Sequence, residues 1–368
     1  MDPRTAPILI LGEWPDGSAS NAGGPRKFNR RLCETLAEAG IVLQNPRKTA
    51  HASGRFGQLI AILQSVLLAP PAIVHVTTDG FHVAIALLCK LLWKARIVYS
   101  VHSLVRVWPE VRLSTPRIDR VRRWIVEATM VRFCDCAVFP SQHYRAASVS
   151  AGYRFHRCET VHHGADTELT FTPRTVPPAP ICFAVFGPAL KVKGIERIHS
   201  ILEELRDIGV VRWIGYDPAD PLQMTEVVRQ LSERCQSIQF DAPVPPGAVN
   251  TELKTIAITL MPSEQESFGI IALESAAAGV PVIVSSATGA AELIGSHQGG
   301  AVVTGRTPGE YRRAAIQILE NYPNASASAI DCARVYSWSR AADGYFAIYQ
   351  SLMNRIRPSE LEAPAIVK

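Results

Sequence analysis

No stretch of this chain stays apolar long enough to cross a bilayer. The longest, Phe81 to Trp93, is too short and carries Lys90, so it reads as a buried helix. The opening MDPRTAPILILGEW lacks a charged-then-apolar leader with a small-residue cleavage site, so export is not expected. The eight cysteines are scattered, and no spacing resembles a zinc knuckle or a disulfide framework. Cys134 and Cys136 flank a single residue, which suits neither a redox pair nor a zinc clip. This usage points to a reduced, cytosolic chain. No predicted strand runs into a Gly-x-Gly-x-x-Gly turn, which disfavours an oxidoreductase with a nucleotide cofactor. A net charge of +5 without an aromatic-studded basic motif speaks against nucleic acid as a partner. There is no repeat at solenoid or propeller period.

What is present is a regular alternation of short β-type runs and longer helical ones. A chain of 368 residues exceeds one ordinary core, so two domains are expected. Strands such as PILILG, AIVHVT, RIVYSVH and CAVFPS are near-continuous apolar runs, as strands covered on both faces should be. The pattern breaks at the proline-rich stretch from Glu168 to Ile181 and restarts with ICFAVFG. The expected organisation is a doubly wound parallel-sheet domain over 1–168 and a linker over 169–180. A second such domain follows over 181–337, then a final helix over 338–357 and a loose tail over 358–368. Two such domains place the C-terminal edges of their strands on a common cleft, where ligands of this architecture bind. Charge divides unevenly: up to Glu168 there are 21 Lys and Arg against 13 Asp and Glu, and beyond it 17 against 20. Different partners for the two halves, or surface variation without meaning, both account for that.

The stretch ESFGIIALESAAAGVPVIVS, from Glu266 to Ser285, carries the clearest chemistry. An apolar run, AITLMPS, precedes it, so Glu264 to Glu266 leave a sheet edge. The helix is expected to begin near Phe268, leaving the N–H groups of Phe268, Gly269 and Ile270 available to an anion. Gly269 would let a ligand approach the backbone. Ionised carboxylates accept hydrogen bonds from hydroxyl groups, so Glu266 and Glu274 suit a diol. A compound with phosphates and hydroxyls, such as a nucleotide sugar, would satisfy both sets. The alternative is that Glu266 merely favours the helix dipole and Glu274 is solvated. Against it, Glu274 lies among small apolar neighbours and needs a partner there.

This stretch resembles the glutamate signature of family 4 retaining glycosyltransferases, which have the GT-B fold. Other segments are similar in the same order: NAGGPRKFNRRLCETLAEAGIVL, YSVHSL, CAVFPSQHYRAASVSAGY, VHHGADTELTFTP, FGPALKVKG and YSWSRAADGYFAIYQSLM. The resemblance runs from residue 8 to about 355. It implies two Rossmann-like domains facing a cleft, with the C-terminal helix crossing back onto the N-terminal, acceptor-binding domain. It implies that Glu274 grips the nucleotide ribose and Glu266 the transferred sugar. Ser267, Phe268, Gly269 and Ile270 would hold phosphate and sugar. Lys193 would neutralise the diphosphate, aided by Lys191 and Gly187, while Gly23 and Gly24 admit it to the first loop. His102 would stand beside the sugar, so His102, Glu266 and Lys193 form the implied catalytic set. No metal or other cofactor is implied, and the sequence has no Asp-x-Asp motif near a strand end. The donor would be a nucleotide diphosphate sugar of unspecified base. The acceptor would be a hydroxyl of a sugar, a lipid-linked sugar or a small molecule, with surface polysaccharide or glycolipid assembly the leading role. Asp79 and Trp108 follow strand ends and would line the acceptor pocket.

Two departures from the family pattern stand out. Pro188 occupies the place of the phosphate-loop arginine, so Lys191 or a cleft arginine must substitute, or activity is impaired. The usual Asn-Gly-Val-Asp turn reads His163-Gly164-Ala165-Asp166. His75, inside a strand, reads as a satisfied core histidine, and His162 as a surface or structural one. The basic helix from Pro116 to Phe133 carries Arg117, Arg120, Arg122, Arg123 and Arg132. It reads as a packed helix with a solvated basic face, or as one that lies against an anionic membrane. In the second case the cytoplasmic enzyme would be peripheral on the inner face of the membrane.

Overall fold

The computed structural model describes residues 6–12, 24–44, 54–78, 81–107, 117–165, 172–245, 248–297, 299–305 and 307–354. Two six-stranded sheets, parallel throughout, organise them. The first holds β1 (Ile8–Leu11), β2 (Leu43–Gln44), β3 (Ile73–Val76), β4 (Arg96–Ser100), β5 (Cys136–Phe139) and β6 (Cys158–Thr160), in the order β2-β1-β3-β4-β5-β6. The second holds β7 (Cys182–Phe186), β8 (Val210–Ile214), β9 (Ile238–Asp241), β10 (Ile258–Met261), β11 (Val282–Ser285) and β12 (Gly300–Val303), in the order β12-β11-β10-β7-β8-β9. The strand order reverses between β1 and β3 in one sheet and between β7 and β10 in the other. These are the two points where doubly wound sheets open a crevice.

Helices cover both faces of each sheet. In the N-terminal domain, α1 (Gly24–Glu38) lies on one face and buries Phe28, Leu32 and Leu36, spaced one helical turn apart. The other face carries α2 (Gly54–Leu68), α3 (Phe81–Trp93), α4 (Arg117–Phe133) and α5 (Gln142–Ser150). In the second domain follow α6 (Ile195–Leu205), α7 (Thr225–Arg234), α8 (Val249–Leu253), α9 (Ile270–Ala277), α10 (Ala291–His297), α11 (Pro308–Glu320) and α12 (Tyr322–Val335). Among the described residues, no helix is long and apolar enough to cross a membrane.

The last helix, α13 (Trp338–Asn354), returns to the N-terminal domain. Its Trp338, Ala342, Tyr345 and Tyr349 share one core with Phe28, Leu32, Ile8, Ile10 and Val98. A buried polar chain fixes its register. His75 Nδ1 bonds the Tyr349 hydroxyl at 2.7 Å, His75 Nε2 bonds Ser100 Oγ at 2.7 Å, and Ser100 Oγ meets the Tyr345 hydroxyl at 2.9 Å. His75 is thus the satisfied core histidine expected from its strand position. Burial first, and then the neighbouring His102, pushes its pKa down to about 3, so the ring stays neutral.

The described part of the proline-rich connection is better anchored than its composition indicates. Arg174 donates to the carbonyls of Ile256 at 2.8 Å and Leu253 at 2.9 Å, and its N–H donates to Ser326 Oγ at 2.9 Å. One long side chain seats the segment on the second domain, a contact that residue composition cannot show.

Candidate active site between the two sheets

Two loops meet at the reversal point of the second sheet. The loop after β7 begins at Gly187, whose φ of 124° lies in the left-handed region. It ends in a 3₁₀ turn, Lys191–Lys193, capped by Gly194 at φ 87°. The loop after β10 lies against it: Glu264 N–H donates to the Val192 carbonyl at 2.9 Å. A Cβ on Gly194 would stand 2.3 Å from the Pro262 carbonyl oxygen, so only glycine allows this approach. Gln223 holds the loop from below, its Oε1 accepting from Ala189 N–H at 2.8 Å.

This packing brings the predicted cations and carboxylates together. Lys193 passes over Gly187 and ion-pairs with Glu266, which is buried. Lys191 points to the exposed side and pairs with Glu196 at 3.2 Å. Arg197, on the first turn of α6, pairs with Glu264 at 3.4 Å and donates to the Gly305 carbonyl at 3.3 Å. Arg197 was not singled out in the sequence, although its place four residues after Lys193 puts it on the same loop-to-helix turn.

Helix α9 starts at Ile270, two residues later than expected, because Gly269 adopts a left-handed φ of 91° and acts as the N-cap. The reason for glycine there is this conformation together with Met261, whose Cε would lie 2.4 Å from a Cβ. The Phe268 side chain is buried and its carbonyl accepts from Ala290 N–H at 2.8 Å. Ser267 offers its carbonyl to Ser141 Oγ, at 2.7 Å, across the domain boundary. Glu274 faces the N-terminal domain and ion-pairs with Lys27 of α1, in a pair that is largely buried. The partner required by its apolar surroundings therefore comes from the other domain, beyond the reach of any local pattern.

The opposing wall is aromatic. His102 follows β4 and packs edge-on against Phe28, ring centres 4.6 Å apart. His163 sits 4.8 Å from Phe28, 4.9 Å from Phe268 and 6.0 Å from Trp338, so it joins α1, the second domain and α13. The His102 ring keeps some exposure, but its Nε2 is buried. Neither that atom nor His163 Nδ1 has a hydrogen-bond partner. Burial pushes the His102 pKa down to about 4 and holds that of His163 well below the usual range, so both imidazoles are neutral. Nearby, Glu292 ties the domains. It accepts from Gln142 N–H at 3.1 Å, from His143 N–H, and bonds His162 Nε2 at 3.0 Å. Burial raises its pKa, but these hydrogen bonds outweigh that and leave it lowered. His162 is accordingly an interdomain contact rather than a surface residue.

Of the remaining predicted residues, Gly24 opens α1 with nothing within 4 Å of where a Cβ would stand. Gly23, Asp79 and Trp108 lie outside the described residues. One group of three candidate metal ligands occurs among the described residues: His199, Glu203 and Cys235 at the contact of α6 with the end of α7, away from the cleft loops.

Comparison with known proteins gives a consistent answer. A model described as family 4 glycosyltransferase in conflict systems matches residues 142–344, and one described as glycosyltransferase family 4 matches residues 22–169. The D-inositol 3-phosphate glycosyltransferase of Corynebacterium urealyticum is 26% identical over 293 residues, covering 73% of this chain and 69% of that protein. The chain spans about two thirds of the length of the curated relatives it matches over most of its own length. Among solved structures, sucrose-phosphate synthase from Thermosynechococcus elongatus superposes with a TM-score of 0.72 at 17% identity, covering 95% of this chain and all of that one. Anabaena HepE, in complex with UDP and glucose, gives 0.65 at 16% identity, covering 94% of this chain and all of that one. At such identities these structures speak for the fold alone.

Proposed function

Since the chain belongs to family 4 of the glycosyltransferases, we propose that it moves a hexose-type sugar from a nucleotide diphosphate sugar to a hydroxyl acceptor, with retention of anomeric configuration and without a metal. The observation that carries this reading is the set of paired cations and carboxylates at the reversal point of the second sheet, facing a neutral, aromatic wall on the first. Breaking the bond from sugar to diphosphate builds negative charge on the leaving group, and cations fixed beside it lower that barrier. Lys193, Lys191 and Arg197 stand on the turn that would receive the diphosphate, which supports a role without a divalent ion despite Pro188. Glu266 and Glu274 would exchange their lysine partners for sugar and ribose hydroxyls. His102, kept neutral, can accept or donate one hydrogen bond through its buried Nε2.

For the acceptor, surface polysaccharide or glycolipid assembly is the leading reading, supported by the basic N-terminal half. A soluble small-molecule acceptor is the second, supported by relatives named for D-inositol 3-phosphate. The test is a thermal-shift panel with UDP, GDP, ADP and their sugar conjugates, in the presence of chelator. One nucleotide series should raise the melting temperature, and Glu274→Ala should weaken that nucleotide at least tenfold. Undiminished affinity in the variant would remove Glu274 from the ribose site. No shift from any nucleotide would favour an impaired donor site.

A further inference from the structure

The contact between α6 and α7 brings three side chains of metal-ligating type to one point. His199 and Glu203 stand four residues apart on α6, so they share one face of that helix. Cys235 ends α7, where its N–H still donates to the Leu231 carbonyl at 2.9 Å. A ring nitrogen of His199, a carboxylate oxygen of Glu203 and Sγ of Cys235 all lie within 4.8 Å of one another. Bonds of about 2.0–2.3 Å to a tetrahedral ion place neighbouring ligand atoms roughly 3–4 Å apart. His199 and Glu203 are exposed, so small rotations of their side chains close the difference.

The place is rigid and its ligands are uncommitted. Ile198 and Leu202, the neighbours of His199 and Glu203 in the chain, share one core with Val228, Leu231 and Cys235. Among the described residues, no hydrogen bond engages the His199 ring or the Cys235 thiol. Glu203 pairs with Arg206 at 3.4 Å, but both side chains are more than half exposed, and such a pair is worth little.

Two electrostatic features favour a cation here. The last carbonyls of α7 form the negative end of its dipole. Burial first, and then the carboxylate of Glu203, holds the Cys235 thiol above its usual range, so it ionises only with a cation beside it. The donor set names the class of ion. Thiolate and imidazole select zinc and its transition-metal neighbours, whereas magnesium and calcium take oxygen ligands. One thiolate and one carboxylate also balance the charge of a divalent ion.

We propose that His199, Glu203 and Cys235 bind one zinc-class divalent ion as a clip between α6 and α7, with water in the fourth position. As the sulfur–metal bond forms, the thiol proton passes to solvent and no electrons are exchanged. The ion would brace the helix that follows the Lys191–Lys193 turn, since α6 starts at the Gly194 cap and carries Arg197 just before His199. Its ligands lie outside the cleft loops, so the metal-independent transfer proposed above does not use it.

The test is titration of the untagged full chain with cobalt(II). One equivalent should bring the visible bands of a tetrahedral site and a sulfur-to-cobalt charge-transfer band in the near ultraviolet. Zinc should abolish both by displacing cobalt. Zinc should also raise the melting temperature where magnesium does not. Cys235→Ser should remove the charge-transfer band, and His199→Ala should weaken zinc binding roughly tenfold or more. His199 is exposed, so the metal-free melting temperature of His199→Ala should match the parent. The nucleotide-induced shift, measured in chelator, should be the same in parent and variants, which separates this site from the donor site. No cobalt spectrum at one equivalent, or a spectrum without the sulfur band, would overturn the proposal. So would an unaltered spectrum in Cys235→Ser, because another of the eight cysteines would then be the ligand. Zinc uptake only with formation of a dimer would do the same, because the ion would then bridge two copies.

Discussion

The two walls of the cleft share one plan and carry opposite chemistry. On the second domain the wall is charged and internally paired: Lys193 with Glu266, Arg197 with Glu264, Lys191 with Glu196. On the N-terminal side, apart from Lys27, which reaches Glu274, it is neutral, with His102 and His163 packed among Phe28, Phe268 and Trp338 and each keeping a buried nitrogen without a partner. The difference shows how one fold can divide a polar reaction. On the proposed function, the charges that would meet a diphosphate are stored as ion pairs, which limits their desolvation cost. The imidazoles that would stand beside the sugar are kept uncharged by burial, so they can offer hydrogen bonds without competing for the anion.

Acid separates the two walls most strongly. Burial pushes His102 down to about 4 and lowers His163, and it pushes His75, in the core of the same domain, down to about 3. Their unfolded value is near 6.5, so below that pH the unfolded chain binds more protons than the native one. Stability should therefore be full above about pH 6.5 and fall as pH drops, by roughly 1 kcal/mol per pH unit for each histidine, adding to several kcal/mol by about pH 5. The paired wall behaves differently. Glu292, lowered from 4.5, contributes stability that is lost only as pH falls below that value. Denaturant unfolding at steps from pH 7 to 4 distinguishes them. A flat curve down to about pH 5 would mean that the buried imidazoles already accept protons in the native state. His163→Gln should remove about a third of the slope.

The charged wall depends instead on backbone conformation. Gly194 combines a left-handed φ with a carbonyl where its Cβ would be. Gly194→Ala should cost about 2–4 kcal/mol, from the left-handed penalty and the displaced neighbour together. It should also detach Lys193 from Glu266 and weaken nucleotide binding. Urea unfolding and the nucleotide-induced shift measure both effects. An unchanged midpoint would show that the loop after β10 yields at little cost, and that the interlock of the two loops is not what positions Lys193.

Much of this architecture was legible because its signals are local. Apolar runs such as Ile8–Leu11 and Val282–Ser285 declare buried strands, and the alternation with amphipathic helices fixes a parallel arrangement. Glu266 and Glu274 were found because they flank the start of a helix that follows an apolar strand, and Lys193 because FGPALKVKG resembles the family's phosphate loop. What was not legible is cross-domain. Lys27 reaches Glu274, His162 reaches Glu292, and His163 wedges between Phe28 and Phe268, pairs separated by long stretches of chain with no pattern linking them. The start of α9 was misplaced for the opposite reason: a left-handed Gly269 and a helical one look alike in sequence. For α4 the sequence left two readings open, because apolar residues at helical spacing ordinarily mark the side that is buried; in the structure Ile118, Val121 and Ile125 are exposed.

The smallest effect tests a second charged tie between the walls, beside the Lys27–Glu274 pair. Glu292 on α10 caps the first turn of α5 by accepting from Gln142 and His143 N–H, and it bonds His162. Glu292→Gln keeps the size of the side chain and one acceptor oxygen but loses the charge that strengthens these bonds. About 1 kcal/mol should be lost. Because the amides it holds belong to the other domain, the loss should be local. Hydrogen exchange at the start of α5 should quicken about fivefold, while the amides of β4 and β11 stay as slow as before. If exchange at α5 is unchanged, the remaining interdomain contacts, Ser141 Oγ on the Ser267 carbonyl and Lys27 on Glu274 among them, suffice to hold the domains, and the glutamate contributes nothing to the closure of the cleft.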